Sequence, residues 1–199
     1  MNRLSIIIPT IGRHSLKRAL RSVLRESLPE DQVIVVGDGV QQKARDISGK
    51  MEAVEYHDGP ESRCWGHAQR NFGMEKATGT HLAFLDDDDV WLTGARRQLG
   101  AAMKDHPDRP VFFRMEHHYR VLWADPEIRY GNVSTQMYLF PNHKGHMATW
   151  KPNPSDPDGR GGDFLFAMDT VALYQKAPVF VDAIIAKLFY HSKGQQDLY

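Results

Sequence analysis

The chain has 199 residues, 41% of them hydrophobic and 25% charged, which suits a single globular domain with a sizeable core. Its 25 Lys and Arg balance its 25 Asp and Glu, so no global field draws it to nucleic acid or a membrane surface. Cys64 is the only cysteine, which excludes a disulfide framework and a Cys-based zinc site. No stretch reads as a signal peptide or a spanning helix, so the expectation is a cytoplasmic protein.

Residues 4–9, Leu-Ser-Ile-Ile-Ile-Pro, form a continuous apolar run and predict a strand buried on both faces. Residues 15–25 carry Leu16, Leu20, Val23 and Leu24 at helical spacing, with Arg and Lys on the other face, and Pro29 closes that segment. Residues 33–36 are a second buried strand, followed by Gly37-Asp38-Gly39. Strand, helix, strand at this spacing makes a βαβ unit with parallel strands. Residues 51–57 offer a weaker third strand before a turn-rich stretch. Residues 65–77 read as a helix with Trp65, Ala68 and Phe72 on one side, stopped by Thr78-Gly79-Thr80. Residues 81–85 are the next strand. A helix follows over 91–106, with Leu92, Ala95, Leu99, Ala102 and Met103 on one face.

Beyond Arg109 the pattern loosens. Residues 111–115 read as a strand, and 119–123 as an antiparallel return. Residues 151–159 form a long aperiodic connection, of a kind that usually carries function or motion. Gly161-Gly162-Asp163 opens a helix with Phe164, Leu165, Met168, Val171 and Ala172 apolar. A last strand is expected near 184–190, ending at His191.

The chemistry concentrates at Asp86-Asp87-Asp88-Asp89, where the strand over 81–85 ends. Four adjacent carboxylates repel one another and favour a cation. Oxygen-only ligands suit Mg²⁺ or Mn²⁺, which often hold substrate phosphates as well. An Asp run can also cap a helix, and Asp89 could cap one entered at Trp91. α/β sheets bind ligands beyond the carboxyl ends of their parallel strands. Three such ends are marked here, by Pro9-Thr10, by Asp38 and by the acidic run. Neither a G-x-x-x-x-G-K-[ST] loop nor a G-x-G-x-x-G follows a strand, so phosphate charge falls to metal and arginine. Arg13, Arg63 and Arg70 lie in or beside the candidate loops.

The ordered set Ile-Ile-Ile-Pro-Thr, Val-Ile-Val-Val-Gly-Asp-Gly, Arg70-Asn71, Ala77-Thr78-Gly79 and Asp86-Asp87-Asp88 resembles family-2-type glycosyltransferases of the GT-A fold, over about residues 4–106. The resemblance implies an α/β fold, a GT-A-like mostly parallel sheet flanked by helices. One domain would cover 1–199, with a nucleotide-sugar-binding half (1–109) and a smaller mixed acceptor-side half (110–199). It implies a metal-dependent transferase moving a sugar from a nucleotide-diphospho-sugar, most commonly a UDP-sugar, to an acceptor hydroxyl with inversion. Pro9, Thr10, Arg13, Asp38, Arg70, Asp86 and Asp87 would bind the donor. Asp86 and Asp88 would hold Mn²⁺ or Mg²⁺, with His191 as a further ligand. Asp163 would be the general base and Asp169 its reserve. Asp89 would support the turn, and His146 and Trp150 would border the acceptor. The family's usual Glu before the catalytic Asp is absent here. Two other readings are a nucleotidyltransferase making a nucleotide-sugar and a non-catalytic nucleotide-sugar-binding module.

Overall fold

The computed structural model describes residues 3–143, 145–151 and 161–189. Most of the connection over 151–159, the end of the expected last strand and His191 therefore lie outside the described residues.

The opening βαβ unit forms as its pattern dictates. Strand β1 (Leu4–Thr10) and strand β2 (Gln32–Gly37) are buried along their whole length and pair in parallel. Helix α1 (Leu16–Glu26) crosses between them, burying Leu16, Ala19, Leu20 and Val23. Its end is fixed where the Ser27 amide and hydroxyl both donate to the Val23 carbonyl. A short polar helix, α2 (Gln42–Ser48), leads to strand β3 (Val54–Asp58), which adds in parallel to β2. The sequence pattern did not signal α2, because a seven-residue helix burying only Ala44 and Ser48 has no apolar stripe.

Helix α3 (His67–Lys76) returns the chain to strand β4 (His81–Phe84), which lies on the other side of β1. The predicted apolar face of α3 is not the buried one. Trp65 precedes the helix and is half exposed, while His67, Gln69, Arg70 and Gly73 face inward. Gly73 is required there, since a Cβ would sit 2.5 Å from a methyl of Ile7. The turn before β4 is set in the same way. A Cβ on Gly79 would stand 2.6 Å from the Ser5 amide, so only glycine lets the turn lie against β1.

The order β3-β2-β1-β4 then meets the second half of the sheet. Strand β5 (Val90–Trp91) precedes helix α4 (Ala95–Asp105). Trp91 is thus a strand residue, not the start of a helix. Its pairing with Ala186 is a long-range constraint that local periodicity cannot show. Strand β6 (Val111–His117) turns back into β7 (Arg120–Leu122), the expected antiparallel return. A 3-10 turn (Thr135–Met137) enters strand β8 (Tyr138–Pro141), which runs antiparallel to both β4 and β6. Helix α5 (Gly162–Tyr174) and strand β9 (Val179–Lys187) complete the described chain, β9 lying parallel to β6. The buried face of α5 is Phe166, Ala167, Thr170 and Tyr174, rotated from the predicted one, and Met168 faces solvent. The sheet is continuous across residues 109 and 110. It is parallel in its first part and mixed in its second.

Buried charge is balanced locally. Asp31, its side chain fully buried, receives Nε and Nη2 of Arg96 at 2.6 and 2.9 Å and ties α4 to the start of β1 through the Leu4 amide. His81, at the head of β4, has its pKa lowered to about 4, chiefly by burial; the Pro107 carbonyl opposes the shift. Its unfolded value is 6.5, so the native state binds fewer protons between those values. The stability concerned is complete above pH 6.5 and is lost as pH falls toward 4, by about 3 kcal/mol at most. His81→Asn should flatten that acid limb when the urea midpoint is followed from pH 7 to pH 4. His67, shifted the same way, leaves a residual slope.

Candidate active site

The chain leaves β1 toward β2 and β3 on one side and returns to β4 on the other. The crevice between the carboxyl ends of β1 and β4 is therefore a topological switch point. The acidic run lands there. Thr10, the last residue of β1, donates its hydroxyl to Asp87 Oδ2 at 2.6 Å. Arg13, in the loop after β1, spans Asp87 Oδ1 at 3.2 Å and Asp88 Oδ2 at 2.7 Å. Arg18 donates to the Asp88 carbonyl at 2.9 Å. Arg70, projecting from α3, pairs with Asp86 Oδ1 and also donates to the Trp65 carbonyl.

The four acids have different surroundings. Asp87 is nearly enclosed. Burial raises its pKa to about 6 against the opposing pull of Arg13 and Thr10. Asp89 is fully buried, and burial, followed by the charges of Asp86 and Asp88, raises its pKa well above the ordinary value. It accepts from Gln136 Nε2 and from the Phe189 amide, so it anchors the turn inward and caps no helix. Asp86 and Asp88 keep 33% and 25% of their side chains exposed, and these are the two carboxylates open to a ligand. Among the described residues no three His, Cys, Asp or Glu side chains gather as a metal site.

Arg70-Asn71 has a clear structural logic. Asn71 holds the main chain of Trp150 by two bonds, of 2.8 and 3.0 Å. This places the Trp150 ring 4.8 Å from the Arg70 guanidinium and stacked on Phe166 at 4.0 Å. Trp150 is therefore a buried support for Arg70 and α5. His146 lies apart, against His143 and Tyr174.

Asp163 sits in the first turn of α5, behind Gly161, which takes the cap position at φ 75°. Its Oδ1 accepts from the Phe164 amide at 2.8 Å. Burial raises its pKa, and the charges of Arg70 and Asp86 act on it in opposite senses, so the carboxylate belongs to the same crevice. The approach of α5 depends on Gly162, whose Cβ would meet the His67 ring at 2.5 Å. Asp169, by contrast, faces away and pairs with Lys151 at 2.8 Å.

Two expected donor residues also hold the loop before α3. The Asp38 amide bonds the Thr10 carbonyl, which brings the two strand ends together. The Asp38 carboxylate, however, accepts from the Ser62 and Arg63 amides at 2.7 and 2.9 Å and so shapes the loop before α3. Pro9 packs beneath that loop, where a Cβ on Gly66 would stand 2.9 Å from it.

A family model described as glycosyl transferase family 2 matches residues 5–168, most of the chain, and that span contains the whole crevice. The chain belongs to glycosyl transferase family 2. Among the proteins this family-2 chain is similar to is the GalNAc(5)-diNAcBac-PP-undecaprenol beta-1,3-glucosyltransferase of Campylobacter jejuni, 27% identical over 50% of this chain and 34% of that protein. Another is the Escherichia coli UDP-Glc:alpha-D-GlcNAc-diphosphoundecaprenol beta-1,3-glucosyltransferase WfaP, 26% identical over 66% of this chain and 55% of that one. The chain thus spans between a third and a little over half of these relatives. The crystal structure of S. aureus TarS 1-349 in complex with UDP-GlcNAc shares the fold, with a TM-score of 0.72 at 15% identity over 99% of this chain and 61% of that chain. That likeness bears out the GT-A reading of the fold. Among the described residues no helix is long and apolar enough to cross a membrane.

Within this family-2 site, sequence reasoning missed Gln136. Its amide nitrogen donates to Asp86 Oδ2 at 2.9 Å and to Asp89. It comes from the 3-10 turn before β8, 47 residues beyond Asp89, and carries no motif. Gln136→Leu would strip a donor from two carboxylates, one of them fully buried. The expected loss is about 2–3 kcal/mol in chemical denaturation. A change within about 0.5 kcal/mol, the range of ordinary surface substitutions, would remove the bridge from the account.

Proposed function

We propose that the chain transfers a sugar from a UDP-sugar to an acceptor hydroxyl, with inversion, in a metal-dependent reaction. The observation that carries this is the meeting of Asp86, Asp88, Arg13 and Arg70 with a part-buried carboxylate, Asp163, at the switch point of a family-2 chain. The donor class is supported by the UDP-GlcNAc named for the TarS complex and the UDP-Glc named for WfaP.

The donor set fits a divalent ion. Two part-exposed carboxylates offer hard oxygen ligands, and Mg²⁺ typically takes one or two carboxylates together with substrate phosphates. Asp86 and Asp88 would hold it, and a bound Mg²⁺ or Mn²⁺ would supply charge balance for the departing diphosphate. Arg13 and Arg70 now balance these carboxylates and would turn part of their charge to phosphate oxygens. Thr10 and Gln136 keep the acidic turn in place while that happens.

Asp163 takes the proton of the acceptor hydroxyl. The freed oxygen forms a bond to the anomeric carbon as the bond from that carbon to the diphosphate breaks, and the electron pair leaves on the nucleoside diphosphate. Burial makes Asp163 a stronger base than a solvated carboxylate. A set of nucleotide-sugars incubated with Mn²⁺ and the full chain tests the proposal. Release of nucleoside diphosphate supports it. Release of pyrophosphate from a parallel mixture of nucleoside triphosphate and sugar 1-phosphate would favour the nucleotidyltransferase reading, and no product from either mixture would favour the binding module.

A further inference from the structure

A second groove lies outside the crevice just described. It runs between the exposed face of α1 and the segment from β5 to Thr93, with a volume of about 610 Å³. That size lies in the range of small-ligand sites. His14, Lys17, Arg18, Arg21 and Arg25 line it, and among the described residues no carboxylate does. The chain as a whole is neutral, so this is a concentrated local field.

The cations are arranged along the groove. Lys17, Arg21 and Arg25 recur every fourth residue, one helical turn or about 6 Å apart, on one ridge of α1. Among the described residues Lys17 and Arg21 have no ion-pair partner. Arg25 reaches only its neighbour Glu26, at 3.4 Å. Arg18 lies at the inner end. Its guanidinium sits 3.9 Å over the Phe189 ring, and its Nε is buried without a hydrogen-bond partner. Val90, Leu92 and Phe189 give the groove an apolar wall.

A row of cations on a helix is commonly just solvated. Here it borders a concave space with an apolar side and an unpartnered buried donor, and among the described residues Glu26, beside Arg25, is its one acidic partner. We infer that this groove binds a phosphate ester, its phosphates along the Lys17–Arg25 ridge and its apolar part against Leu92 and Phe189. Arg18 links that occupant to the neighbouring crevice through the Asp88 carbonyl. The ester can be a soluble molecule or the headgroup of a lipid, and the chemistry of recognition is the same for both.

The test uses the full chain in EDTA, which silences divalent ions in the crevice. Inorganic pyrophosphate is titrated calorimetrically, and flotation is measured with phosphatidylglycerol–phosphatidylcholine vesicles against phosphatidylcholine alone. Wild type should bind one or both probes, more weakly as salt rises. The triple variant K17Q/R21Q/R25Q should lose at least tenfold in affinity with an unchanged melting temperature, because all three side chains are exposed. Arg13→Ala should retain the binding. Loss of pyrophosphate binding identifies a soluble source, and loss of vesicle binding alone a lipid one. Two results overturn the inference: no binding of either probe by wild type, or binding that survives the triple variant. Binding that disappears in Arg13→Ala instead places the anion in the crevice and overturns it too.

Discussion

Asp163→Asn is expected to lower kcat by about 10²- to 10⁴-fold, the usual worth of a positioned general base, with donor affinity almost unchanged. The substitution keeps the shape of the side chain and its bond from the Phe164 amide, so α5 should start where it does now. It removes only the ability to accept a proton at that atom. The neighbourhood makes this carboxylate the better candidate of the two that the sequence offered. Asp163 is part-buried and feels the charges of Arg70 and Asp86, whereas Asp169 spends its charge on Lys151. Single-turnover release of nucleoside diphosphate, with donor affinity measured in parallel, separates chemistry from binding. Undiminished turnover would take the base role away from Asp163, whatever the donor affinity.

The parts legible in the sequence were those whose signal is local. β1 and β2 announced themselves as β-branched runs because both faces are buried, and α1 because its stripe meets one flat sheet. α3 was placed correctly, but its inward face was misjudged. That face meets polar partners, Gln69 bonding the Pro60 carbonyl and Arg70 pairing with Asp86, so it carries His67, Gln69 and Arg70 where an apolar stripe would normally be. β5 was read as helix because its partner is almost a hundred residues away. Within the site the same division holds. Asp86 to Asp89 were visible as a run, but their separate environments were not. Those come from Thr10, Arg13, Arg70 and Gln136, which belong to four different segments. Asp38 stands at the strand end the sequence marked, and what the sequence could not show is that its carboxylate also shapes the loop before α3.

Asp88→Ala is expected to abolish the Mn²⁺-dependent stabilisation that UDP confers. At a hundredfold excess over its Kd a ligand adds about 2.7 kcal/mol to the folded state. For a chain of this size that raises the melting temperature by about 5–10 °C. The fold itself should tolerate the change. Arg13 retains Asp87 as a partner, the bond from Arg18 goes to the main chain at position 88, and the Asp88 side chain is already a quarter exposed. The loss should therefore appear only in the difference between UDP with Mn²⁺ and UDP alone. Asp87→Ala would not be so specific, because it leaves Thr10 and Arg13 without their buried acceptor. If UDP stabilised Asp88→Ala as much as wild type with Mn²⁺ present, the ion would not be held by this carboxylate. If UDP stabilised wild type equally with and without Mn²⁺, Arg13 and Arg70 would be carrying the diphosphate without a metal.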